Sequence, residues 1–221
     1  MKAIVVVDFA YKGPQRIGRG TGRAGLKGLL KYVQYRDTRN NHLAQNRSYE
    51  RWQDHGLGMH HGDILKNCSQ FQSKHVLAWT WVISPAPDLM ALVPPEQRRQ
   101  MVSELTERVV EDYYMARGYD TPEFAFVIHD RQTEPKDGSN PQQQLHTHVI
   151  LPGTVPSIAE RLPVYNNKER GHDALFRDIA SRHFASQLDE IVGPQWRRMR
   201  EVEVEPDLPA TDSLDDWFPR R

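Results

Sequence analysis

Cysteine is almost missing from this sequence: Cys68 stands alone among 221 residues. A single thiol excludes an internal disulfide framework and a multi-cysteine zinc finger. Long apolar runs are missing too. No run reaches the roughly 18 residues that span a bilayer, so no membrane insertion is expected. The longest candidate, Val76 to Pro85, suits a buried strand instead. The opening residues Met1 to Asp8 meet an acid too soon to form the apolar core of a signal peptide. These absences together point to a cytoplasmic chain.

Net charge is missing as well, since 29 Lys/Arg balance 29 Asp/Glu. The balance hides an asymmetry. Residues 1–50 carry ten Lys/Arg against three Asp/Glu, whereas residues 200–221 carry three against seven. A basic beginning and an acidic end suit a polyanion-binding region and an acidic tail, or simply two solvated surfaces. The length suits one domain, here 1–200, with an acidic, Pro-rich tail over 201–221.

The chain reads as alternating elements. Residues 1–9 carry the β-branched run Ile4-Val5-Val6-Val7 and read as a strand. Lys12 to Arg23 is a basic Gly-rich loop, and the spacing of Leu26, Leu29, Leu30 and Val33 predicts a helix over 25–35. Residues 37–74 are polar and predict irregular or short helical structure. Lys74 to Ser84 is a strand, Pro94-Pro95-Glu96 opens a helix, and Gly118 ends it. Glu123 to His129 and Leu145 to Leu151 predict a hairpin around a mobile loop from Thr133 to Gln144. A last helix is predicted over 173–191. This order favours an α+β fold, one central, mostly antiparallel sheet with helices packed on it.

The chemistry lies in the hairpin. His146 and His148 sit two apart on one strand, so both imidazoles face the same way and Thr147 faces the core. In the obvious register His129 arrives at the same patch from the partner strand. Three neutral imidazoles would bind one metal ion and leave positions open for substrate oxygens or water. Asp130 is placed to orient one of the rings. Such a site polarises a phosphate but needs a nucleophile, either water or a side chain. Tyr32 and Tyr35 lie on the helix after the basic loop, flanked by Lys31 and Arg36. Periodicity alone is equally content with Tyr32 as part of the apolar stripe.

These residues carry a resemblance. Val127-Ile128-His129-Asp130, followed after a loop by Leu145-His146-Thr147-His148-Val149-Ile150-Leu151, resembles the three-histidine motif of plasmid mobilisation relaxases of the HUH endonuclease superfamily. Ala24 to Val33 resembles their N-terminal tyrosine motif, and Trp79 to Ser84 their middle strand ending in a small polar residue. The order, tyrosine before histidines, is the relaxase order. The resemblance covers about residues 1–190. It implies a five-stranded antiparallel sheet with helices, and a divalent cation, Mn²⁺ or Mg²⁺, on His129, His146 and His148.

It further implies that Tyr32, or Tyr35 one turn on, attacks a scissile phosphate of single-stranded DNA at an origin of transfer. The enzyme would then stay joined to the 5′ end until rejoining. Ser84 would touch DNA near the cut, with accessory mobilisation proteins and a coupling protein as partners. Lys12, Arg16, Arg19, Arg23, Lys27 and Lys31 would neutralise phosphates, each adding about one unit of salt dependence. Three alternatives remain at this level: a rolling-circle-type initiator, a metal nuclease using water without a covalent intermediate, and a non-catalytic DNA-binding accessory protein.

Overall fold

The computed structural model describes residues 3–14, 22–35, 52–133, 142–155, 162–163 and 171–201. Five strands form one sheet: β1 Val5–Lys12, β2 Trp52–His55, β3 Ala78–Pro85, β4 Phe124–Thr133 and β5 Gln142–Pro152. Their spatial order is β1-β3-β5-β4-β2, and every neighbouring pair is antiparallel. A small ribbon of β6 Thr154–Val155 and β7 Leu162–Pro163 follows. The helices are α1 Gly22–Tyr35, α2 His61–Gln70, α3 Pro87–Met90, α4 Pro95–Ala116, α5 His172–Ile191 and α6 Trp196–Glu201. The expected α+β architecture is therefore present. None of the helices among the described residues is long and apolar enough to cross a membrane.

Side-chain alternation gives the sheet two buried faces. Trp79, Trp81 and Ile83 of β3, Leu145, Val149 and Leu151 of β5, and Phe124, Phe126 and Ile128 of β4 pack against α4 and α5. Trp81 sits at the centre, edge-on to Phe9, Tyr113 and Phe176 and stacked on Tyr114. Each such ring pair adds roughly 0.5–1.5 kcal/mol beyond area burial. The intervening residues Ala78, Ala125, Val127 and Ile150 face α1 and α2, meeting Leu26, Leu30, Val33, Ile64 and Leu65. Because both faces are covered, the tryptophans Trp52, Trp79 and Trp81 belong to the core and offer no platform for bases.

Two glycines have definite jobs. Gly118 has φ +73° just past α4, the left-handed turn that stops the helix, and Tyr119 N–H closes onto Tyr114 O at 3.0 Å. Gly153, at the end of β5, passes so close to residues 73–76 that a Cβ would lie 2.0 Å from Val76 O. No other residue fits there.

Two expectations are corrected. The stretch 37–74, expected to be irregular or short helical, holds a short helix, α2, and also a strand, β2, that was not expected. Trp52-Gln53-Asp54-His55 is a short edge strand in which Trp52 is buried, Gln53 and His55 are half-buried and Asp54 is exposed, a charge of the kind that discourages edge pairing. The hairpin ladder runs further than expected, through Thr133↔Gln142, so Thr133 and Gln142 to Gln144 are strand rather than loop. The main-chain ladder continues there although the side chains turn polar as the hairpin leaves the core. The tail from 202 and residues 36–51 lie outside the described residues.

Candidate metal centre

The register joins the histidines. His129 pairs directly with His146 across β4 and β5, and Val127 pairs with His148. Alternation puts all three imidazoles on the α1/α2 face. Thr147 points the other way, as expected, and its hydroxyl meets Thr106 Oγ1 of α4 at 3.1 Å. The three rings approach one another with centroids 4.8 to 5.3 Å apart. One ligand nitrogen from each fits within 4.8 Å of the others. Nitrogens bound to a single ion at about 2.1 Å sit roughly 3.4 Å apart at the tetrahedral angle. A contraction on the order of an ångström therefore closes the set. Three imidazoles suit a borderline transition ion such as Zn²⁺ better than Mg²⁺, which prefers oxygen.

The cluster is not an open surface patch, as a histidine-lined sheet would suggest. His129, His146 and His148 are 1%, 0% and 6% exposed. The cause is α1, whose last turn lies over them. His129 Nε2 stands 2.7 Å from the main-chain oxygen of Val33. A carbonyl only accepts, so Nε2 carries the proton and Nδ1 holds the ring's lone pair. Val33 follows Tyr32 directly, so the candidate nucleophile and the candidate metal ligand are tied by one hydrogen bond.

A second anchor holds the same turn. Gln34 is fully buried, and its Oε1 accepts from Trp52 Nε1 (3.2 Å), from the His61 amide (3.2 Å) and from His61 Nδ1 (3.0 Å). His61 is thereby held as the Nδ1–H tautomer. Burial, then the neighbouring His60, Lys31 and Lys27, push its pKa below the ordinary value. His60 and His61 are adjacent in sequence. Their rings lie 3.9 Å apart because they straddle the start of α2, where His60 is extended and its Nδ1 caps Gly62 N–H.

The two tyrosines part company. At about 100° per residue, Tyr32 and Gln34 lie on opposite flanks of α1. Tyr35 faces α2, its ring 6.1 Å from that of His61. Tyr32 is 40% exposed on the flank of α1 opposite Gln34, and Val6 of β1 is exposed as well. Ser84 is buried. It pairs with Val6, follows the Ile83↔Thr147 step, and accepts from Gln144 Nε2 at 3.1 Å, so it shares the face and row of His146.

The basic residues divide. Arg23, Lys27 and Lys31 recur every four residues and are exposed along α1, and Lys12 ends β1 half-buried. Arg16 and Arg19 lie outside the described residues. Asp130 is not brought to the histidines. It alternates to the α4 face, where its carboxylate accepts from Gln143 Nε2 at 2.7 Å. The acid that shares a row with the cluster is Asp8, which pairs with Val82, itself the partner of His148. Two strand spacings put its backbone about 10 Å from that of His148. The sequence marks Asp8 only as a charge in a run of valines; cross-strand register gives it meaning.

No family model matches the chain, and no curated protein matches it.

Proposed function

We propose that this chain is a relaxase: a metal-dependent enzyme that nicks and rejoins single-stranded DNA at a plasmid or mobile-element origin of transfer. The observation that carries the reading is the union of two parts. Three imidazoles converge on one point, and the turn bearing Tyr32 is bonded to one of them through Val33 O.

His129, His146 and His148 would hold a divalent cation, Mn²⁺ or Mg²⁺. When bound, the cation supplies charge to offset that on the oxygens of the scissile phosphate. The rest is the work of this chain. Tyr32 is exposed on α1, where it would meet the DNA strand. Its hydroxyl oxygen attacks phosphorus and gives up its proton. A tyrosine O–P bond forms as the bond to the 3′ oxygen breaks, and that oxygen takes up a proton. The energy of the phosphodiester stays in the phosphotyrosine link, so the 3′ hydroxyl can later reverse the step. Tyr35, turned toward His61, is the less favoured nucleophile.

Ser84 and Gln144 line the edge of the histidine face, where a nucleotide flanking the cut would lie. Lys12 and the exposed stripe of Arg23, Lys27 and Lys31 supply phosphate contacts, with Arg16 and Arg19 proposed to extend them. Partners would be the origin DNA, accessory mobilisation proteins and a coupling protein, in the cytoplasm.

A cleavage assay tests this. Purified protein with Mn²⁺ is mixed with end-labelled single-stranded oligonucleotides tiling the DNA around its own gene. The reading expects a single cut that Tyr32→Phe abolishes. Cutting that survives in the Tyr32→Phe/Tyr35→Phe double variant means a water nucleophile. Binding without cutting supports an accessory DNA-binding protein.

A further inference from the structure

We propose that His129 enters the metal sphere through Nδ1 while its Nε2–H holds α1, so that loading the metal and fixing the tyrosine turn are one event. This rests on the metal-centre reading above and goes beyond it, because it assigns the ligating atom and the consequence.

Val33 lies in the last four residues of α1, whose carbonyls have no partner within the helix and need a donor from elsewhere. His129 Nε2–H supplies one at 2.7 Å. The same ring contacts His146 and His148, with centroids at 5.3 and 4.8 Å, and belongs to the set whose nitrogens gather within 4.8 Å. A protonated Nε2 is not a ligand, so Nδ1 is the atom left to bind. A metal-ligating histidine commonly gives its other N–H to a main-chain carbonyl, and here that carbonyl belongs to the residue after Tyr32.

Two consequences follow from charge. A cation on Nδ1 draws electron density from the ring and makes Nε2–H a stronger donor to Val33 O. The C-terminal end of α1 carries the negative half of the helix dipole, which favours a cation beneath it. Metal binding therefore tightens the turn that carries Tyr32. The Gln34 anchor holds that turn from the other side through Trp52 and His61, without touching the metal ligands.

The test is nitrogen spectroscopy on the full chain with histidine ¹⁵N labels, titrated with Zn²⁺ as a diamagnetic probe, read by long-range ¹H–¹⁵N correlation. The inference expects Nδ1 of His129 to move to the shift of a metal-bound nitrogen while Nε2 stays protonated. Amide exchange over residues 30–35 should slow about tenfold on metal addition, the scale of one charge-assisted hydrogen bond. If His146 and His148 take the metal but His129 binds through Nε2, the inference fails and the metal centre stands. If the metal binds through Nδ1 but α1 exchanges at an unchanged rate, the coupling fails. If no histidine nitrogen responds to metal, the metal-centre reading falls and takes the inference with it.

Discussion

Replacing His146 by alanine separates what its ring does for packing from what it does for metal. The ring has no exposed surface and lies beside those of His129 and His148, with centroids 5.3 and 5.2 Å away. Truncation leaves a void beneath α1. Large-to-small changes at buried sites cost about 2–4 kcal/mol, and a chain of this size shifts its melting point by roughly 2–4 °C per kcal/mol. The metal-free variant should therefore melt about 4–16 °C below the metal-free wild type. Metal acts in the other direction. An ion at a hundred times its Kd stabilises the folded state by about 2.7 kcal/mol, worth roughly 5–11 °C. That gain should be present in the wild type and lost in the variant. The assay is a thermal melt of both proteins in chelator and in Mn²⁺ or Zn²⁺. His75→Ala, at an exposed histidine, serves as the control and should change neither number. Equal metal-free melting of wild type and variant would refute the burial argument, since a ring on an open surface costs little to remove. A metal shift that survives His146→Ala would refute the three-ligand set.

Other consequences can be checked with ordinary tools. The hydroxyls of Thr147 and Thr106 meet at 3.1 Å and Thr106 Oγ1 also bonds Val102 O, so Thr147→Val should cost about 1 kcal/mol. A double-mutant cycle with Thr106→Val in urea should give a coupling of at least 0.5 kcal/mol or so, and additive costs would break the pair. Burial pushes the Cys68 thiol up to about 12, so in native protein it should resist alkylation at pH 8 and react only on unfolding. Rapid native labelling would contradict its placement. Folding lowers the His61 pKa below 6.5, so the unfolded chain binds a proton that the folded chain refuses. Stability from this group is complete at higher pH and is lost as pH falls from 6.5 toward the folded value. His61→Gln should lose less stability than wild type between pH 7.5 and 5.5 in urea titrations, and equal or steeper loss would overturn the sign.

The parts of the fold that were legible in the sequence are those with strong periodicity. The β-branched run before Asp8, the aromatic strand around Trp81 and the Leu26-Leu30-Val33 stripe each have one dominant pattern, and each became the expected element. The histidine face was legible because alternation is strict: two residues apart means one face, whatever the rest of the sheet does. What stayed hidden depended on neighbours in space. Trp52 to His55 carries too few apolar residues to announce a strand, and only its pairing with β4 makes it one. The burial of the histidines follows from α1 crossing above them, and no local pattern encodes that crossing. Asp130 looked like an orienting acid because it adjoins His129 in sequence, yet adjacency on a strand means opposite faces. The Gln34 anchor was invisible for a similar reason: a glutamine on a helix is ordinarily solvated, and its partners come from β2 and α2.

The most direct test of the central claim is the covalent intermediate. Full-length protein, Mn²⁺ and the cleaved oligonucleotide are combined, denatured and digested, and the peptide carrying the added nucleotide is sequenced by mass spectrometry. The account predicts a 5′-phosphate-linked adduct on Tyr32 that is absent from Tyr32→Phe. Efficient cleavage with no adduct on any tyrosine would contradict it.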